Sequence, residues 1–179
     1  ALDHDLIASA KILYLEGYLW DPEEPRAAMR AAIDCARKAG RKVAFTLSDG
    51  FVIDRFRDDF MALIDQGLID ILFSNEAEIS ALAGHDDFEA AVAAIAPKVP
   101  VLVSTRSEKG AIAVVGGARF AAAAVPVADV IDTTGAGDLF AAGFLAGYIE
   151  GADTESCLKL GAMAAAEIIS HYGARPEAD

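Results

Sequence analysis

Short aliphatic runs alternating with helical stripes limit what this chain can fold into more than any other feature of it. Residues 11–17 (KILYLEG), 42–47 (KVAFTL), 69–74 (IDILFS) and 100–104 (PVLVS) are almost continuously apolar, as strands covered on both faces are. Between them Met29, Ala32, Ile33 and Ala36 recur at helical spacing, and so do Ile53, Phe56, Phe60, Leu63 and Ile64. Gly40 and Gly67 stand where helix C-caps belong. Strand and helix in alternation predict βαβ units and a largely parallel sheet. After Ser104 the pattern changes, because Gly116-Gly117 parts two apolar runs and signals a β-hairpin. Two helices, 136–150 and 154–171, close the sequence, with Asp153 or Thr154 able to cap the second. That second helix is apolar almost all round and is expected to be buried.

Composition narrows the function. At 179 residues and 54% hydrophobic content the chain can bury one ordinary core, so one folded unit, or most of one, is expected. A net charge of −13 without a Lys/Arg stripe argues against nucleic acid and anionic membranes as partners. A small anion stays open, provided that backbone dipoles and a metal attract it locally. The longest apolar run, 139–149, is too short to span a bilayer. With no basic, apolar leader at its start, the chain reads as soluble and cytoplasmic, or as a piece of something longer. Cys35 and Cys157 have no C-x-x-C or His partner and read as two buried thiols rather than a disulfide or zinc site.

The stretch VIDTTGAGDLFAAGFLAGY, 130–148, reads as a strand end, a tight polar loop and a long helix. The first turn of a helix leaves N–H groups without intrahelical partners and carries about half a positive elementary charge. Gly135 and Gly137 remove side chains that would block an anion from those groups, which makes a phosphate cradle. Asp138 occupies the place where a Walker A loop needs Lys, and Phe140 the place of the third glycine in a dinucleotide fingerprint, so neither motif fits. A carboxylate beside bound phosphate is chemically sensible if Asp138 takes a proton from an attacking hydroxyl while the turn holds the transferring group. The plainer alternative is that Asp138 complements the helix dipole and the glycines serve packing.

FSNEAEISALAG places Asn75 and Glu78 at a strand-to-helix turn, where open α/β sheets gather ligands. Alone, the pair reads first as a capping box, with Asn75 capping and Glu78 reaching back. Arg55 and Arg57 read as a solvated helix face, Asp49-Gly50 as a turn, and Trp20 and Tyr18 as packing residues. His4, His85 and His171 lack partners that would make them catalytic, and Glu167 must lie at a helix edge or be paired.

The run DTTGAGDLFAAGF closely resembles the C-terminal signature of the PfkB, or ribokinase-like, family of carbohydrate and nucleoside kinases. The resemblance implies an α/β, ribokinase-like (Rossmann-like) fold: a mostly parallel sheet with helices on both faces and a C-terminal β-hairpin. Residues 1–179 would be the C-terminal portion of a single kinase domain, because the family's Gly-Gly-x-x-x-Asn motif and its β-sheet lid have no counterpart. The resemblance makes Asp138 the catalytic base and Gly135, Ala136 and Gly137 the anion hole. Asp132 and Thr134 would help to hold a monovalent cation, usually potassium, together with carbonyls from about Ser170 to Gly173. Asn75 and Glu78 match an Asn-x-x-Glu element that orders magnesium and phosphates mainly through water, a role compatible with a cap. Magnesium would also help to neutralise ATP in an acidic chain that lacks a P-loop Lys. VSTRSEKGAIAV resembles the family's T-x-G-x-x-G loop beside ATP, where Thr105 and Gly110 match and Ser107 replaces a glycine, straining any positive φ there.

The expected activity is ATP-dependent phosphorylation of a hydroxymethyl group on a small nucleoside or sugar. YLEGYLWDP, LSDGFVIDRFRDDF and LFSNEAE are most similar to bacterial adenosine-kinase-like members. The alternatives are a nucleotide-binding but non-catalytic module lacking the acceptor site, and a structural domain with a vestigial loop. Association is open, a homodimer included.

Overall fold

The computed structural model describes residues 2–177. Thirteen regular elements follow in order: α1 (His4–Ser9), β1 (Ile12–Glu16), α2 (Glu23–Lys38), β2 (Lys42–Thr46), α3 (Gly50–Asp65), β3 (Ile71–Asn75), α4 (Glu76–Ala83), α5 (Phe88–Ile95), β4 (Val101–Thr105), β5 (Ala111–Val115), β6 (Ala118–Ala122), α6 (Ala136–Ile149) and α7 (Thr154–Ile168). The six strands form one sheet in the order β1-β2-β3-β4-β5-β6. β1 pairs with β2 in parallel, Tyr14 opposite Ala44, and β2 with β3, Phe45 opposite Leu72. This is the α/β, mostly parallel architecture that the alternation of strand and helix predicts.

The chain divides into two compact units, one comprising residues up to Val103 with Val115–Gly117, the other Ser104–Val114 with the residues from Ala118 onward. In the first unit the core gathers Ile33, Phe45, Ile53, Phe60, Leu72 and Leu82. Trp20 is fully enclosed there, edge-on to Phe45 and Phe60 at 6.3 and 5.7 Å, with its indole N–H donating to Asp59 at 2.8 Å. Burying an indole requires such a partner for its polar end. Helices α2 and α3 both end in paired backbone bonds, Arg41 N–H to Ala36 O at 2.8 Å and Leu68 N–H to Leu63 O at 3.0 Å, with Gly40 and Gly67 left-handed at the C-caps as expected.

β5 and β6 are joined through Gly116-Gly117, the expected hairpin. The second unit holds the last two helices. α6 and α7 pack against each other along their length, centred on Phe140, Phe144, Cys157, Leu158 and Ala162. Asp153 caps α7 by accepting from Ser156 N–H at 2.9 Å.

Several expectations are corrected. Val130 and Ile131 belong to no strand; both are exposed, and the Ile131 N–H donates to Ile169 O at 2.8 Å instead of to a ladder. α7 stops at Ile168, and it is not wholly buried: Met163 is 59% and Leu160 41% exposed, since packing on α6 and β6 leaves the rest of its circumference uncovered. Phe56 is half-buried at a kink in α3, with φ −126°. Tyr18 is exposed, while Cys35 is half-buried and Cys157 buried, both as free thiols. Among the described residues no helix is long and apolar enough to cross a membrane.

Candidate active site

In the second unit the glycine turn opens α6. Gly135 is its N-cap with φ 81°, a left-handed value that spares it the cost a Cβ would bring. Ala136 N–H turns back to Thr133 O at 3.2 Å. The N–H groups of Gly135, Gly137 and Asp138 have no hydrogen-bond partner among the described residues. Three amides at the positive end of a helix dipole are therefore free for an anion. Asp138 lies in the first turn of α6 with its side chain exposed, not turned into packed hydrocarbon. A carboxylate so placed can reach a proton on an incoming hydroxyl.

Asp132 holds this loop in shape. Its Oδ1 accepts from Thr134 N–H at 2.9 Å and Thr134 Oγ1 at 2.7 Å, and its Oδ2 accepts from Gly173 N–H at 3.1 Å. Those bonds, led by the Thr134 hydroxyl, lower the pKa of Asp132 below the ordinary carboxylate value. Each carboxylate oxygen offers about two acceptor directions, so Oδ1 is filled and Oδ2 retains capacity for a cation. The structure thus brings Asp132, Thr134 and the 170–173 turn together, the groups expected to surround potassium.

The loop after β4 is tight. Arg106 N–H donates to Gly110 O at 2.7 Å, and Gly110 N–H to Ser107 O at 3.0 Å. Ser107 has φ 50°, the strained value its replacement of glycine implies, at a cost of about 1–2 kcal/mol. Gly110 has φ 85°, and a Cβ on it would lie 2.1 Å from Ala122 O, so no other residue fits without shifting β6. Thr105 ends β4 half-buried, and the Ser107 side chain is exposed.

In the first unit β3 delivers Asn75 into a capping box. Asn75 Oδ1 accepts from Glu78 N–H at 2.8 Å, Glu78 Oε2 accepts from Asn75 N–H at 2.9 Å, and Glu78 Oε1 from Asn75 Nδ2 at 2.7 Å. The cap reading of this pair is what the geometry displays. Glu78 is only 7% exposed, and burial raises its pKa against the lowering effect of the Asn75 N–H, with the Asp49 carboxylate adding to the rise.

Asp49 is a residue that sequence reasoning missed. Its side chain caps α3 by accepting from Phe51 N–H at 2.6 Å, which corrects the reading of Asp49-Gly50 as a plain turn. The signal available was an Asp directly before a helical stripe. Ser48 precedes it with φ 69°. Two carboxylates and a strained backbone therefore gather at the ends of β2 and β3.

Arg55 and Arg57 are exposed, as a solvated helix face requires, and each also has a partner. Arg55 pairs with Asp21, and Arg57 donates to Leu82 O at 2.8 Å, closing α4. His171 also has a partner, contrary to expectation: its Nε2 lies 3.1 Å from Glu167 Oε1. The Tyr172 carbonyl and the Glu167 carboxylate face its two ring nitrogens and raise its pKa. Glu167 is accordingly paired, one of the two outcomes its helix position allows. Among the described residues no three His, Cys, Asp or Glu side chains cluster as a direct metal-binding set.

A family model described as "pfkB family carbohydrate kinase" matches residues 1–179. The chain is similar to the structure of an adenosine kinase from Sinorhizobium meliloti, with a TM-score of 0.96 and 42% identity over 99% of this chain and 54% of that one. It is similar to a ribokinase from Arabidopsis thaliana solved with ribose and ATP, with a TM-score of 0.77 and 29% identity over 96% of this chain and 54% of that one. Among curated sequences, a cytidine kinase of Thermococcus kodakarensis is 36% identical over 107 residues, 59% of this chain and 38% of the relative. The chain spans about half the length of these solved kinases and less of that curated relative.

Proposed function

We propose, from the premise that this chain belongs to the pfkB family of carbohydrate kinases, that it carries the phosphoryl-transfer machinery of an ATP-dependent kinase acting on a hydroxymethyl group of a nucleoside or sugar. The observation that carries this reading is the free N–H triad of Gly135, Gly137 and Asp138 beside the exposed Asp138 carboxylate. In the reaction the acceptor hydroxyl oxygen bonds to the γ-phosphorus of ATP. The bond from that phosphorus to the β,γ-bridging oxygen breaks, ADP leaves, and the hydroxyl proton passes to Asp138. The turn amides hold the equatorial oxygens of the moving group while its charge is spread over them.

Thr105, Ser107 and Gly110 shape the loop assigned to the nucleotide, and Ser107 can offer its hydroxyl to phosphate. Asn75 and Glu78 are assigned to magnesium and its waters, with Asp49 as an added carboxylate in the same field. Magnesium supplies charge neutralisation of the phosphates and typically keeps several waters, which suits a Glu78 already committed to a cap. Asp132 and Thr134 are assigned to a potassium-like cation, and their present bonds hold the turn in the shape that exposes its amides. The similarity to adenosine, cytidine and ribose kinases supports a nucleoside or ribose-like acceptor.

The test is Asp138→Asn in an active protein. Loss of the base lowers kcat by about a hundredfold or more with the nucleotide KM little changed. A kcat near wild type rejects the assignment. Because the chain spans about half its solved relatives, a second reading is nucleotide binding without transfer. MgATP binding by calorimetry, with no phosphorylation of adenosine, cytidine or ribose, selects it.

A further inference from the structure

The segment following α7 is exposed and without regular structure: residues 172–177 are all exposed, Tyr172 at 83%. Such a segment has little apolar burial to hold it, so its position depends on specific polar bonds. One carboxylate oxygen supplies two of them. Glu167 Oε1, at the end of α7, faces His171 Nε2 at 3.1 Å and accepts from Glu177 N–H at 2.8 Å. The bonds are to a charged acceptor, the stronger kind. From the end of α7 through Ala174, the chain touches the phosphate-turn loop in sequence order. Ile131 N–H reaches Ile169 O, Asp132 Oδ2 accepts from Gly173 N–H at 3.1 Å, and Ala174 packs so closely on Gly135 that a Cβ there would lie 3.0 Å from the Ala174 Cβ. Asp132 in turn fixes Thr134 through its other oxygen.

We propose that Glu167 is a positioning residue for the glycine turn: it clasps the 171–177 segment to α7, and the clasped segment, through Gly173 and Ala174, holds Asp132 and Gly135 so that the anion-binding amides keep their direction. Glu167 touches no reacting atom and acts through two intermediaries. Its significance for catalysis rests on the reading of the turn as the phosphoryl site, but the clasp itself is testable without turnover.

The experiment is amide hydrogen exchange, followed by NMR, on the wild-type chain and on Glu167→Ala and Glu167→Gln. In Glu167→Ala the N–H groups of Gly173 and Thr134 exchange about tenfold faster or more, while Phe45 in β2 is unchanged. Glu167→Gln keeps a carbonyl oxygen to accept both bonds and restores most of the protection. Unchanged protection at Gly173 and Thr134 in Glu167→Ala overturns the clasp. Should that variant loosen the whole unit, His171→Ala is read in the same way, since it leaves Glu167 in place. In a protein that transfers phosphate, Glu167→Ala lowers kcat about tenfold with nucleotide KM within about twofold, and Glu167→Gln recovers it. A change confined to KM overturns the positioning role. Wild-type protein without turnover rejects the kinase reading alone, because the exchange result then decides the clasp by itself.

Discussion

Gly143 on α6 lies directly against Gly161 on α7. A Cβ added to Gly143 would stand 3.0 Å from the Gly161 Cα and 2.6 Å from the Leu160 carbonyl oxygen, while one on Gly161 would stand 2.8 Å from the Phe140 carbonyl oxygen. These obstacles are backbone and cannot rotate away. Gly161→Ala therefore lowers stability by about 2–4 kcal/mol, although alanine gains up to about 1 kcal/mol in helix propensity. Urea denaturation measures it, and an unchanged midpoint contradicts the close approach. Because α6 carries the glycine turn at its start, the same variant also displaces that turn.

The loop after β4 contains two left-handed residues with opposite sensitivities. Gly110→Ala places a methyl group 2.1 Å from Ala122 O and is expected to cost more than about 3 kcal/mol, or to prevent folding. Ser107→Gly relieves the strain of φ 50° and raises stability by up to about 1 kcal/mol after the greater freedom of unfolded glycine is counted. Thermal melts of the two variants should move in opposite directions.

Glu78 combines a cap with an assigned metal role, and one substitution separates them. Glu78→Gln retains an acceptor for the Asn75 N–H and keeps stability within about 1 kcal/mol, whereas Glu78→Ala costs about 1–2 kcal/mol. If Glu78 orders magnesium, Glu78→Gln still lowers turnover and shifts its dependence on magnesium. Normal turnover in this variant leaves Glu78 as a cap alone.

The raised pKa of Glu78 sets a direction for pH. The folded protein holds this proton more tightly than the unfolded chain, whose value is near 4.5. The stabilisation is fully present below that value and is lost as pH rises through the folded pKa. Denaturation midpoints followed upward from about pH 4 should therefore fall more steeply in wild type than in Glu78→Gln.

Asp132 behaves in the opposite sense. Its folded pKa is lowered from 3.8, so the stability that it confers is present above that value and lost as pH falls through the folded pKa. The amide resonances of Thr134 and Gly173 should titrate together, with a midpoint below 3.8. Separate midpoints would mean that the two amides do not share one carboxylate.

Much of this architecture is legible in the chain. The strand runs, the hairpin glycines, both C-cap glycines and the Asp153 cap depend on residues near one another in sequence, and they appear where local pattern places them. Asn75-x-x-Glu78 is legible for the same reason, because a capping box is a four-residue object. The failures have a common cause. Ile131 reads as strand from its apolarity, but its N–H finds Ile169. Met163 and Leu160 read as buried from composition, yet only packing partners decide which stripe of a helix is covered. Asp49 reads as a turn residue until α3 starts behind it.

Local pattern alone determined the alternation of elements and the bareness of the glycine turn, since periodicity and backbone freedom are properties of a short stretch. The fold alone decided what holds that turn. Asp132 meets the Gly173 amide 41 residues away, and Glu167 gathers His171 and Glu177 around one oxygen. Hydrogen bonds reach only about 3 Å, so such partnerships exist only after folding has brought distant segments together.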